Sequence, residues 1–375
     1  MEFKTTSDAS GILRFTLVLI CICIGAAILF LGQQIIVPLL LAFLFAILLN
    51  PVVSFLNKRW RVPNVVAVLI SCILLFAFLG SILMFIYYQA ADISHEWPKI
   101  KQNFKMHITH GEQWINQTFH VSGKKQEQYI KETATKTLNG GMGETLSSFT
   151  NTAMSLILIP LYTFLILLYR KLFVNFLCKI VPTKEHKRLI DILVNIGSIV
   201  QNYIVGLLIE MFIVAGLTTG GLMLLGVPYA ILLGVITALL NLIPYIGILC
   251  AAFLTVLAAL TASTDPSIVI KIGFMIWGIQ LFDNNFLVPK IVGNKVQINA
   301  LVSILGVIVF GTLAGIAGMF LALPMIAIMK VIFDRVDALK PYGYLIGDDL
   351  PKTVKWNKIV MPDLNHGGSE EADKW

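Results

Sequence analysis

The chain has 375 residues, of which 57% are hydrophobic and 13% charged, and its formal net charge is +7. Soluble domains carry about 25% charged residues, so this composition excludes a soluble globular protein and indicates an integral membrane protein. The positive charge does not mark a nucleic-acid binder. The bases gather at the ends of apolar runs, in Lys58, Arg59 and Arg61, then Arg170, Lys171, Lys179, Lys184, Lys187 and Arg188, then Lys330, Arg335 and Lys340, which is the loop bias of membrane proteins.

Eight apolar segments are long enough to cross a bilayer at about 20 residues each. The first three run Ile12 to Leu31, Ile35 to Phe55 and Val65 to Tyr88. The first is too long for a cleaved secretory signal and is followed at once by another, so it reads as a retained span. A polar stretch, Ala91 to Thr150, follows. Trp97, Ile100, Phe104 and Ile108 stand there at helical spacing, which predicts a small helical insert. His107, His110 and Glu112 lie close together in it but read as solvated side chains rather than a metal site. Asn116 opens a glycosylation sequon, a weak three-residue pattern.

The fourth segment runs Ala153 to Tyr169. Thr183 to Tyr203 then places Leu189, Ile192, Leu193, Ile196, Ile199 and Val200 on one stripe, an amphipathic helix at the inner surface that feeds the fifth segment, Tyr203 to Leu225. The sixth, Tyr229 to Leu260, the seventh, Ile268 to Val288, and the eighth, Leu301 to Ile332, complete the set. The expected architecture is an all-α polytopic membrane protein. Its parts are N-terminal segments over 1–90, an extracytoplasmic insert over 91–150, a fourth segment over 151–172, an amphipathic helix over 173–202, a membrane core over 203–335 and a tail over 336–375.

The basic loops place both termini in the cytoplasm. The sixth segment either crosses or re-enters. Re-entry would require a second re-entrant piece for parity, and Pro289 to Ala300 is where the sequence offers one. Gly216 with Gly220, and Gly311 with Gly315, have the spacing that lets helices approach closely, and Gly318 follows them.

Two features carry chemistry. Within GVPYAILLGVITALLNLIPYIG, Pro228 and Pro244 interrupt an apolar tract, with Asn241, Tyr245 and Gly247 at the second break. Proline removes a backbone donor, and in hydrocarbon each freed group must find a partner inside the protein. Broken helices of this kind build transporter sites. The second feature is intramembrane charge. Only Glu210 and Asp283 lie well inside apolar runs, and a carboxylate there costs on the order of 2.5–3.5 kcal/mol. Asp283 is followed by Asn284, Asn285, Pro289 and Gly293, a polar density that predicts a second irregular stretch of backbone. The five cysteines, Cys21, Cys23, Cys72, Cys178 and Cys250, read as small apolar residues, with no disulfide framework or zinc spacing and no cofactor expected. No HExxH, phosphate-binding loop or catalytic carboxylate pair is present, so an enzyme or an ATPase within the chain is not expected.

GVPYAILLGVITALLNLIPYIG, FDNNFLVPKIVG and GTLAGIAGMFLALPMIAIMKV, in this order, resemble the autoinducer-2 exporter family of bacterial membrane proteins, the PerM-type permeases. Leu207 after Gly206, and Asn299-Ala300, depart from the family's frequent Gln and His-Pro. The resemblance implies a secondary transporter of the inner membrane that forms a homo-oligomer. It implies export of the furanone autoinducer-2 or, alternatively, exchange of sodium or lithium for protons. It carries over Asn241, Pro244, Tyr245, Gly247, Asp283, Asn284, Pro289 and Gly293. The expected site joins Asn241, Tyr245, Asn284 and Asn285 as ligands of a small polar solute, with Asp283 and Glu210 exchanging protons. A non-transporting membrane scaffold is the expectation from another class.

Overall fold

The computed structural model describes residues 13, 16–17, 20, 23–25, 27–89, 145–243, 246–262, 267–292 and 298–348. The insert at 91–144, with its histidines and sequon, therefore lies outside the described residues, as do Pro244, Tyr245, Gly293 and the tail from 349.

Among the described residues every regular element is helical. Helical residues up to Leu31 meet α1 (Gln33–Arg59) across Gly32. There follow α2 (Asn64–Gln89), α3 (Thr145–Ile180), α4 (His186–Leu224), α5 (Ala230–Asn241), α6 (Ile246–Ala262) and α7 (Ser267–Phe282). A π-helical stretch spans Asp283–Val292, and then come α8 (Ala300–Arg335) and the short α9 (Lys340–Ile346). Among the described residues five helices have the length and composition to cross a membrane, and α8 is one of them by that measure. Pro38 and Pro51 lie inside α1 without ending it. The amphipathic stretch predicted at Thr183 to Tyr203 is continuous with the fifth segment in α4, after a short 3-10 turn at Thr183–Glu185.

The helices wear their apolar side chains outward. Leu74, Leu172, Phe173, Leu249, Phe274 and Ile316 are all exposed, an arrangement suited to lipid rather than water. Inside, α1 packs on α2 and α3 through Ala46, Leu49, Val53, Ala67, Val68 and Leu167. The other flank of α1 supplies Leu44 to a cluster built on α4 and α8, with Ile196, Val200, Ile204, Leu207, Leu321 and Val331.

The sixth segment is a helical hairpin. Leu222 at the end of α4, Ala230 and Leu233 at the start of α5, Ala259 at the end of α6 and Ile272 in α7 share one buried cluster. Both mouths of the α5–α6 pair therefore lie at the same end of α4. At 1.5 Å per residue, the twelve residues of α5 reach about 18 Å, short of a bilayer core of about 30 Å. The tip thus turns back partway across. Three backbone donors beside the tip are met locally: Leu242 N–H by Leu239 O at 3.2 Å, Ile243 N–H by Leu240 O at 2.9 Å and Gly247 N–H by Ile243 O at 3.0 Å. Gly247 sits so close to Leu240 O that a Cβ would strike the backbone. Gly234 does the same against Ala215 and Thr219 and draws α5 onto α4.

The eighth segment corrects the expectation of a single span. Ala314 (φ −142°, ψ 18°) and Gly315 (φ 61°, ψ −146°) leave helical geometry, and Gly315 adopts a conformation essentially reserved for glycine. The chain folds back there. A Cβ on Gly306 would meet Ile326, one on Gly311 would meet Met319, and one on Gly318 would meet Phe310 O. In a straight helix, residues 306 and 326 would stand about 30 Å apart. Three further contacts close the mouth. Asn299 N–H donates to Ile346 O at 3.0 Å, and Asn299 Nδ2 donates to Leu345 O at 2.7 Å and Gly347 O at 3.1 Å. Asn299 also caps α8 by accepting from Val302 N–H at 2.8 Å. The second re-entrant piece is 300–335, whereas the expected Pro289 to Ala300 falls in part outside the described residues. Gly311 and Gly315 serve a turn rather than a helix–helix seam, while Gly216 and Gly220 have no neighbour within 4 Å of a Cβ position.

The two hairpins enter from opposite ends of α4. The mouth of the second is tied to the start of α4 by Arg335 Nε to Asp191 at 2.9 Å and Arg188 to Asp337 at 3.1 Å, and Arg188 also donates to Arg335 O. Lys340 and Arg188 hold the exposed Asp337 carboxyl below its ordinary range. Leu242, at the tip of the first hairpin, packs on the cluster that contains Leu321 of the second.

The fold-back sets apart glycines that look alike in sequence. Overpacking costs about 1–3 kcal/mol. Gly318→Val is therefore expected to lower the unfolding temperature of the purified protein, measured by a thermal shift in detergent, while Gly216→Val leaves it in place. Equal melting of the two variants would count against the fold-back.

Candidate functional site

The level where the hairpin tips approach is also where the intramembrane acids lie. Glu210 stands midway along α4 and Asp283 opens the π-helical stretch, and both are buried, at 5% and 3% exposure. Asn241, the last residue of α5, joins them. Its Nδ2 donates to Glu210 Oε1 at 2.8 Å and to Asp283 Oδ2 at 3.4 Å. One amide at a hairpin tip thus ties two acids from different helices. Met211, Val214, Ala238 and Leu287 pack around the group and make its surroundings apolar.

The second oxygen of Asp283, Oδ1, is buried with no hydrogen-bond partner among the described residues. A buried acceptor without a donor is rare and costly. A small cavity of about 20 Å³ opens on the other side of Asn241, bounded by Thr218, Thr237 and Gln280. One water needs about 10–15 Å³ of such space.

Of the expected site residues, Glu210, Asn241 and Asp283 are brought together. Asn284 and Asn285 are not. Both are exposed, Asn284 Oδ1 accepting from Gln280 Nε2 at 3.1 Å and Asn285 Nδ2 donating to Leu281 O at 2.8 Å. Helical register explains this, since successive residues after Asp283 point in different directions. The expected irregular backbone after Asp283 is a wide π turn, and Asn285 covers a carbonyl where the α helix gives way to it. Such turns often occur at functional sites. Pro289 lies exposed within it. Pro228 stands in the turn into α5, between Gly226 and Tyr229, both with left-handed backbone (φ 69° and 57°). Tyr245, Pro244 and Gly293 lie outside the described residues.

The residue reading passed over Thr218, Thr237 and Gln280. Each was a polar residue inside an apolar run, but none carried a charge or a proline to single it out. Asn299, a departure from the family's pattern, has a structural role as the cap and tie described above.

Apolar helices, two hairpins that turn back partway, and a buried acidic pair at the level of their tips define a multi-pass membrane protein with a polar site inside the membrane. The chain belongs to the AI-2E transporter family, whose family model matches residues 17–338. It is 28% identical over 333 residues to the AI-2 transport protein TqsA of Escherichia coli strain K12, covering 84% of this chain and 90% of that one. It is 26% identical over 340 residues to a candidate transport protein, YueF, of Bacillus subtilis strain 168, covering 86% and 91%. A second candidate transport protein of that strain, YrrI, is 27% identical over 310 residues, covering 80% and 86%.

Asn241 is expected to hold the acidic pair in place. Hydrogen bonds to charged groups contribute about 1.5–3 kcal/mol, so Asn241→Leu is expected to destabilise the protein by about that much. Adding Glu210→Gln to Asn241→Leu is expected to cost less than the two single changes summed, in a thermal-unfolding double-mutant cycle. Strict additivity would mean that the two side chains do not interact.

Proposed function

We propose that the protein is a proton-coupled secondary transporter of the bacterial inner membrane that exports a small polar solute, with autoinducer-2 the first solute to test. The carrying observation is the Glu210–Asn241–Asp283 cluster, in which two acids on separate helices meet at the tip of a re-entrant hairpin. Two like charges in an apolar site repel strongly. A proton entering the pair offsets that cost, and releasing it to the other side couples its movement to the solute. Asn241 and Tyr245 hydrogen-bond the solute's hydroxyls. Access alternates by movement of the α5–α6 hairpin about the breaks at Pro228, Pro244 and Gly247, with the Pro289–Gly293 stretch yielding beside it. In this reading both termini are cytoplasmic, the protein works as a homo-oligomer, and the chain catalyses no covalent reaction. The printed name of the Escherichia coli relative supports the choice of solute.

A second reading has its own support. Asp283 Oδ1 is a buried oxygen without a donor, and a hard cation takes oxygen ligands. A sodium or lithium ion exchanged for protons would fill that role.

Purified protein in liposomes that hold a pH dye distinguishes the readings. Under a proton gradient, the wild type is expected to accumulate autoinducer-2 with matching proton movement. Asp283→Asn is expected to lose at least about tenfold in coupled rate, equivalent to roughly 1.4 kcal/mol. Proton movement driven by sodium alone would select the second reading. Wild-type transport by Asp283→Asn, with its gradient dependence kept, would overturn the coupling role.

A further inference from the structure

Far from the acidic pair, α1, α3 and α4 enclose a cavity of about 770 Å³, within the size range of ligand sites. It lies between the middle of α1 and the first half of α4, and takes in Arg170 and Lys171 from within α3. Its walls are mainly apolar, with Phe43 and Ile47 from α1, Ile166 from α3 and Val194 from α4, while Asn175, Ser198, Gln201 and Asn202 add neutral polar groups. A second cavity of about 290 Å³ adjoins it, lined by Asn57 and Lys58. Arg170 and Lys171 line both cavities, and no acidic residue lines either.

Arg188, Lys330, Arg335 and Lys340 each pair with a carboxylate. Among the described residues Arg170 and Lys171, like Lys58 in the smaller cavity, have no ion pair or hydrogen bond. Asn50 lines the larger cavity and Asn57 the smaller, each with its side-chain oxygen buried and without a hydrogen-bond partner among the described residues. Just outside, Leu172, Phe173 and Phe176 are exposed apolar side chains on the next turns of α3.

We propose that this paired cavity binds the headgroup of an anionic phospholipid. The phosphate meets Arg170 and Lys171, and the acyl chains run along the apolar part of the walls and the outer face of α3. The cations and the apolar surface call for different parts of such a molecule. A free phosphate would leave the apolar surface unmet. A neutral lipid would leave the two cations unmet. Basic pockets between membrane helices are suited to anionic headgroups.

The test uses full-length protein in neutral detergent, titrated by native mass spectrometry with dioleoyl phosphatidylglycerol, dioleoyl phosphatidylcholine, dioleoyl phosphatidic acid, glycerol phosphate and inorganic phosphate. Phosphatidylglycerol is expected to bind more tightly than phosphatidylcholine, by about fivefold per cation engaged. Arg170→Gln with Lys171→Gln is expected to bring that ratio near one, while Lys184→Gln with Lys187→Gln, outside the cavity, keeps it. Phosphatidic acid, which shares the phosphate and the chains, is expected to compete with phosphatidylglycerol for the same site. The proposal is overturned by equal loss in the two lysine-containing double variants, or by no headgroup preference in the wild type. Binding of inorganic phosphate or glycerol phosphate as tight as that of the lipid would also overturn it. A wild type that ignores phosphatidylglycerol, while a chain ending at residue 348 takes it up, would make the tail the occupant instead.

Discussion

The fold depends on a constraint that water-soluble proteins escape. A chain that turns back inside hydrocarbon must satisfy the backbone at the turn without solvent. The first hairpin meets that demand locally at the described residues of its tip, and the second turns through glycine. In the first, Leu242, Ile243 and Gly247 donate to carbonyls three or four residues back, and the missing side chain of Gly247 lets Leu240 O come close. In the second, Gly315 takes a conformation closed to other residues, and glycines at 306, 311 and 318 let the two limbs touch. Without these turns α5 would not end at the level of Glu210, and Asn241 would have no acid to bind.

The same geometry explains why the polar group is sparse. A hairpin tip gives one residue at the end of α5, a long helix gives one at mid-length, and the start of a π turn gives one more. Three side chains from three elements suffice because Asn241 Nδ2 reaches both acids. The surrounding apolar packing, through Met211, Val214, Ala238 and Leu287, strengthens each of these contacts by excluding competing dipoles.

Much of this was legible in the residues. A carboxylate in an apolar run is costly enough to stand out, so Glu210 and Asp283 were found by charge alone, and Asn241 by its place before Pro244. The second hairpin was hidden for a physical reason. Glycines at i and i+4 serve both a helix–helix seam and a tight fold-back, and only the φ of Gly315 separates the two. Asn284 and Asn285 were drawn in by adjacency to Asp283, but helical register turns neighbours outward. The cavity beside Arg170 could not be read at all, because it forms where helices distant in the chain converge, and charge at a segment end looks the same whether it is paired or free.

That last contrast bears on how the molecule is held in its membrane. Around the start of α4, Arg188 and Arg335 are spent within the protein and tie the mouth of the second hairpin to α4. Within α3, Arg170 and Lys171 have no such partner among the described residues, and the helices part beside them to leave a cavity rather than closing on it. The core of α4 with its hairpins is thus secured by protein contacts, whereas α1 and α3 present open charge beside exposed apolar surface. A membrane lipid is the one abundant molecule that supplies both a phosphate and chains at that boundary. The divided use of basic residues therefore separates a part of the chain that holds itself together from a part that takes hold of the bilayer.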